Sequence, residues 1–206
     1  KEEPHIQEEQ ESGSSKDAEV SLLLSDLRNG GRQIEEHSVD LILTRSPGDH
    51  PDLWQELAIL AERVLKPGKL FVLCSGQERL PEIIATFSER LQYVWTGAMV
   101  LNVTCPIQEL HIDNDSKLLL FFAARPYRPG PWFTDSFSEG SDGQEGGIED
   151  FLIDEITNPG DLIFDPFGSE AVAMAAERLK RRLVRIEKNP DTAAKVNQKL
   201  ETLEPT

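Results

Sequence analysis

Asn158-Pro159-Gly160-Asp161-Leu162-Ile163-Phe164-Asp165-Pro166-Phe167-Gly168-Ser169-Glu170 is the stretch on which the fold turns. A turn leads into a short apolar run that ends on an acid; a proline and a glycine follow, and then an alanine-rich segment. That order predicts a buried strand at Asp161 to Phe164, a tight turn, and a helix from Glu170 to Lys180. The unit then repeats, with a strand at Leu183 to Glu187 and a helix from Pro190 to Leu203. Pro190 suits a first helical turn, where its missing N–H costs nothing.

Toward the N-terminus the alternation continues. Val20 to Asp26 reads as a short buried strand, with Asn29, Gly30 and Gly31 as breakers, and Val39 to Thr44 reads as another, stopped by Ser46, Pro47 and Gly48. Leu53, Leu57, Leu60, Ala61, Val64 and Leu65 recur at helical spacing, and Lys66-Pro67-Gly68 ends that helix. A strand at Lys69 to Ser75 and a helix from Leu80 to Leu91 follow. Strands alternating with helices predict a mainly parallel sheet covered on both faces. Tyr93 to Val103 and Lys117 to Arg125 break the pattern: two extended runs with no helix between them, expected to form an antiparallel pair at one edge. Residues 126–147 form a Pro/Gly/Ser/Asp-rich loop too long for a compact connector, and a helix is expected from Ile148 to Ile156.

Bulk properties bound the rest. With 206 residues and 38% hydrophobic content, residues 20–206 can bury one core, so one domain is expected. Residues 1–19 hold seven acids against two lysines and few apolar side chains, the composition of a disordered acidic tail or linker. Because the chain starts with Lys1, a further domain upstream is expected. No long apolar run or signal-like N-terminus is seen, so a soluble, cytoplasmic protein without membrane contact is expected. Cys74 and Cys105 and the four scattered histidines give no metal or disulfide spacing. The net charge is −16, and −11 of it falls on residues 20–206. Between Pro129 and Glu177 there are twelve acids and no Lys or Arg. Such a surface repels phosphates, so any nucleic-acid role requires a local patch or a partner.

In an open parallel sheet ligands gather at the carboxyl ends of the strands. Four such ends carry informative residues: Asp165 to Ser169 before a helix N-terminus, Glu187, Asp26, and Arg45-Ser46-Pro47-Gly48. Each also has a plain reading, Asp26 as a turn residue and Glu187 as a solvated strand end. The basic cluster Arg178, Lys180, Arg181, Arg182, Arg185 and Lys188 is read as packing and solvated surface, and Trp132 and Phe133 as packing under the loop.

Taken together, Asn158 to Gly168, Ala175 to Arg182 and Ile186-Glu187 resemble the cofactor segment of the beta-class DNA adenine-N6 and cytosine-N4 methyltransferases. Ser38-Val39-Asp40-Leu41-Ile42-Leu43-Thr44 is similar to the lead-in of that family's catalytic segment, and Leu65-Lys66-Pro67-Gly68-Lys69-Leu70 to its LKPGGxL stretch. The resemblance spans Val20 to Leu200. It implies a Rossmann-like S-adenosylmethionine methyltransferase fold with circularly permuted motif order, and places 126–147 at the target-recognition position. It implies cofactor contacts from Asp26, Asp165, Phe167, Gly168, Ser169 and Glu187, and a catalytic tetrapeptide at Arg45, Ser46, Pro47 and Gly48.

The chain departs from the family where chemistry is densest. The usual Gly-Ser-Gly-Thr turn is replaced by Gly168-Ser169-Glu170-Ala171, which puts an acid at the helix N-terminus and should weaken S-adenosylmethionine binding. An exocyclic amine needs a hydrogen-bond acceptor and a stacking ring to become a nucleophile; Arg45 is a donor only, and Gly48 has no ring. His50 and Trp54 are the nearest aromatic side chains. The expectation is a catalytically degenerate binding or scaffold domain that meets DNA through an upstream domain or partner subunit. The alternatives are an active methyltransferase, on DNA or on an acceptor other than duplex DNA, and a silent subunit of a methyltransferase complex.

Overall fold

The computed structural model describes residues 20–47, 50–130, 134–138 and 147–202. Residues 1–19, read above as a tail, and Gly48, Trp132 and Phe133 lie outside the described residues. The elements are β1 (Val20–Leu24), α1 (Leu27–Gly31), β2 (Val39–Arg45), α2 (Pro51–Val64), β3 (Leu65–Ser75), α3 (Leu80–Ser88), β4 (Gln92–Ile107), β5 (Ile112–Ala123), β6 (Ser136–Ser138), α4 (Ile148–Ile156), β7 (Leu162–Asp165), α5 (Glu170–Arg178), β8 (Arg182–Glu187) and α6 (Pro190–Glu201). The eight strands form one sheet in the order β1-β8-β7-β2-β3-β5-β4-β6. All neighbours are parallel except β5, which runs against both β3 and β4.

Strand alternation sorts the apolar residues onto two faces. Ile42, Phe71, Leu73, Leu120 and Phe122 point toward α1, α2 and α3, where Trp54, Leu57, Ile83 and Phe87 meet them. Leu41, Leu43, Val72, Leu119 and Phe121 point the other way, onto Leu152 and Ile153 of α4, Val172 to Ala176 of α5 and Val196 of α6. The alanines of α5 let that helix lie close against the sheet. Phe71, Phe87 and Phe122 form a ring cluster with centroids 5.0 to 6.0 Å apart, in the range where aromatic pairs attract.

Several details differ from the sequence expectation. Asn29, Gly30 and Gly31 are not breakers but part of α1, because Asp26 caps that turn by accepting from the Asn29 N–H at 2.7 Å. β3 begins at Leu65, so Lys66-Pro67-Gly68 lies within the strand rather than ending a helix. The hairpin is longer than its apolar runs: β4 reaches Ile107 and β5 starts at Ile112, joined by a 3-10 turn at Gln108–Leu110. Cross-strand hydrogen bonding carries these strands out past the buried part of the sheet, where no apolar alternation marks them.

The antiparallel pair also sits one place in from the edge, since β6, inside the stretch read as loop, pairs with β4. Gly97 makes this possible, because a Cβ there would stand 2.7 Å from the Asp135 carbonyl oxygen. Ala98 N–H donates to that same oxygen at 2.8 Å. No described helix is long and apolar enough to cross a membrane.

At the amino ends of the strands, buried Asp40 accepts from Lys66 Nζ at 2.7 Å and from the Leu162 N–H at 3.1 Å, with Lys69 Nζ at 3.3 Å. Burial alone would raise its pKa, but these partners outweigh it and hold the carboxyl below its ordinary 3.8. A depressed folded-state pKa contributes stability above the unfolded value, and that contribution is lost as pH falls through the folded one. Asp40→Ala is therefore expected to cost about 1–3 kcal/mol in urea unfolding at neutral pH, and its deficit relative to wild type should shrink below about pH 3.

Candidate functional site

The turn after β7 is organised by one carboxylate. Asp165 is fully buried and accepts from the Thr44 hydroxyl at 3.0 Å, from the Phe167 N–H at 3.0 Å and from the Ser169 N–H. These bonds fold Pro166 to Ser169 back over the strand end and deliver the chain to the first turn of α5. Burial is the largest influence on this carboxyl and pushes its pKa up to about 6, against the two N–H donors, the Thr44 hydroxyl and the Arg185 charge. Gly168 has φ +63, and a Cβ on it would stand 2.9 Å from the Ile186 carbonyl oxygen. Only glycine fits where the two loops touch.

Thr44, Arg45, Phe167, Ser169, Glu170 and Ala171 line a cleft of about 420 Å³ at this end of the sheet. Glu187, at the end of β8, lies against Gly168, and its Oε1 accepts from the Asn189 N–H at 2.7 Å. Asp26 sits after β1, beside that strand end, with its carboxylate spent on capping α1 through the Asn29 backbone and side chain. Glu170 opens α5 and pairs with Lys199 of α6 at 2.5 Å.

A second and larger cleft, about 570 Å³, lies on the other side of Arg45, between the ends of β2 and β3 and the start of α3. Arg45 lines both clefts. Its Nη2 donates to Glu149 Oε1 at 3.0 Å, tying the end of β2 to the first turn of α4. Ser46, whose N–H donates to the Cys74 carbonyl at 2.8 Å, faces the second cleft, as does Trp54. His50, the other aromatic named from the sequence, is exposed, and Pro47 is half-buried beside it. Burial raises the Cys74 pKa, against the neighbouring Arg45 and Lys117 charges, so this thiol is a poor source of thiolate.

The structure thus gathers Asp165, Phe167, Gly168, Ser169 and Glu187 at one strand-end cluster and sets Arg45 between two clefts. Sequence reasoning missed Thr44, Glu149, Arg79 and Lys117. Thr44 was read only as the last residue of a strand, and Glu149 as one acid among twelve; neither carries a local signal for its partner more than 100 positions away. The basic cluster is largely spent inside the fold. Arg185 is fully buried with Nη2 bonded to Asn197, Arg181 donates to Thr157 and Asp154, and Arg178 chelates Asp150.

No family model matches the chain, and no curated protein matches it in sequence. The backbone, however, has the methyltransferase fold, mixed α/β with a mainly parallel eight-stranded sheet. It is similar to PvuII DNA methyltransferase, a cytosine-N4-specific enzyme, with a TM-score of 0.75 at 16% identity over 92% of this chain and 88% of that one. M1.HpyAVI gives 0.71 at 17% over 88% and 98%. TTHA0409 of Thermus thermophilus, a candidate DNA modification methylase solved with S-adenosyl-L-methionine, gives 0.71 at 17% over 87% and 92%.

Two outcomes test the turn. Gly168→Ala is expected to destabilise the protein by about 1–3 kcal/mol, from positive φ and the carbonyl clash together, as read by thermal unfolding. For Asp165, a raised folded-state pKa means that its contribution to stability is full below 3.8 and lost as pH rises through about 6. Stability measured across that window should carry a downward component of up to about 3 kcal/mol with rising pH, and Asp165→Asn should remove it.

Proposed function

We propose that this chain is a DNA-methyltransferase-like domain that keeps a weakened S-adenosylmethionine cleft, has lost amino-group methylation, and serves in the cytoplasm as a binding or scaffold domain. In this reading it meets DNA only through an upstream domain or a partner subunit. The observation that carries the proposal is Arg45. At the strand end where the resemblance puts the amine-activating acceptor stands a guanidinium, a donor without acceptor capacity, pinned by Glu149 between the two clefts.

A methyl donor must face its acceptor across an open path. Here a charged side chain, Arg45, lines both clefts. Arg45 would also repel the positive sulfonium of the cofactor.

The first cleft fits the cofactor in outline. Its volume of about 420 Å³ falls within the range of about 300–1,000 Å³ usual for small-molecule sites. Phe167 supplies an apolar wall, Ser169 stands at the positive end of α5, and Glu187 could receive ribose hydroxyls. S-adenosylmethionine would supply an activated methyl group when bound. The weakening has equally local causes. Glu170 places a carboxylate at the helix end that the cofactor's own carboxylate would use, Glu187 already serves the Asn189 N–H, and Asp26 already serves α1.

Ser46 and Trp54 on the walls of one cleft favour, as a second reading, an active methyltransferase for a non-duplex acceptor. Calorimetry and label transfer separate the two. With S-adenosylmethionine the expected affinity is weak, about −4 to −6 kcal/mol, lost in Asp165→Ala, with no label passing to duplex or single-stranded DNA. Transfer that disappears in Asp165→Ala would overturn the loss of catalysis. Binding that is tight, or wholly absent, would overturn the weakened cleft.

A further inference from the structure

The second cleft collects positive charge in a chain whose net charge is −16. Arg45, Arg79 and Lys117 line it together with the hydroxyls of Ser46 and Ser75, against one acid, Glu78. These residues come from the ends of β2 and β3, the residue before α3 and the middle of β5, so only the folded sheet brings them together. The two arginines are each anchored by a carboxylate outside the cleft wall, Arg45 by Glu149 and Arg79 by Glu82. Anchoring leaves donors over: Arg79 gives Nε and Nη2 to Glu82, and a guanidinium has five N–H groups. Lys117 makes no salt bridge among the described residues.

Trp54 belongs to the same cleft. It forms part of the wall and is 2% exposed, and its indole N–H is buried with no acceptor among the described residues. The Arg79 guanidinium sits 4.8 Å from the centroid of that same indole, a cation–π contact that holds it at the cleft wall.

We propose that this cleft binds a small organic phosphate, its phosphate monoester held by Arg45, Arg79 and Lys117 and by the Ser46 and Ser75 hydroxyls. Fixed guanidinium forks match phosphate oxygens in pairs, and the cleft's volume of about 570 Å³ admits a sugar phosphate. The same molecule excludes the polymeric form of this chemistry. Glu149 stands behind Arg45, Glu170 lines the neighbouring cleft, and the stretch from Pro129 to Glu177 carries twelve acids and no Lys or Arg. An extended polyanion is disfavoured by that net acidity, whereas a single phosphate need touch only the cations. The site shares only Arg45 with the first cleft and does not depend on whether that cleft is filled.

The test is calorimetric titration of the full chain at low salt with ribose 5-phosphate, inorganic phosphate and ribose, with tryptophan fluorescence as a second signal. Expected are saturable binding of ribose 5-phosphate, weaker binding of inorganic phosphate and none of ribose. Lys117→Gln and Arg79→Ala should each weaken the phosphate ligands about tenfold or more, whereas Arg128→Ala, the loss of an exposed cation elsewhere, should not. Thermal unfolding checks that each variant is folded; if Arg79→Ala is not, Lys117→Gln decides. The proposal is overturned by equal binding of ribose and ribose 5-phosphate, by Lys117→Gln binding like wild type, by no saturable binding below about 10 mM, or by a duplex oligonucleotide that binds more tightly per phosphate than ribose 5-phosphate.

Discussion

One buried carboxylate holds the functional end of this molecule together. Asp165 receives a hydroxyl from β2 and two backbone N–H groups from its own turn, so a single side chain joins two strand ends and the start of a helix. Burying an acid there is costly, as its pKa near 6 shows, and the cost is offset because each bond satisfies a group that would otherwise be stranded without water. Arg185 lies close enough on β8 to lower that pKa, and is itself buried with two of its nitrogens unpartnered among the described residues. Everything at the strand ends takes its position from this turn: the close contact of Gly168 with β8, the placement of Glu187, and the cleft in front of α5.

The distribution of charge follows a second logic. This acidic chain uses Arg178, Arg181 and Arg185 as fasteners in the packing of α4, α5 and α6. Arg45, Arg79 and Lys117 face one opening together. Such an arrangement is poor for tracking a polyanion and suited to recognising a small one, because field lines from a few charges are focused inside a cleft and screened outside it. The exposed acids and the cationic cleft are parts of one electrostatic design.

Arg45 ends β2, and its side chain presents hydrogen-bond donors only at that strand end. Glu149 anchors it at 3.0 Å, while Thr44, one residue earlier, turns inward to Asp165, so the structural bond and the guanidinium lie on opposite sides of the strand.

Sequence by itself determined the elements and the layering. Val39 to Thr44, Leu162 to Phe164 and the alanines of α5 carry periodicities that only a two-faced parallel sheet can bury, and Asp165 to Ser169 is legible as a tight turn between strand and helix. Local signals of this kind depend on neighbours a few residues apart, and they survive in a linear reading. Tertiary structure alone decided that Arg45 meets Glu149 across 104 positions, that Asp26 is a helix cap, that β6 extends the sheet from within a presumed loop, and that Arg79, Lys117 and Trp54 wall one cavity. Those pairings arise from sheet order and loop return, which place distant side chains within hydrogen-bonding reach, and no periodicity along the chain encodes them.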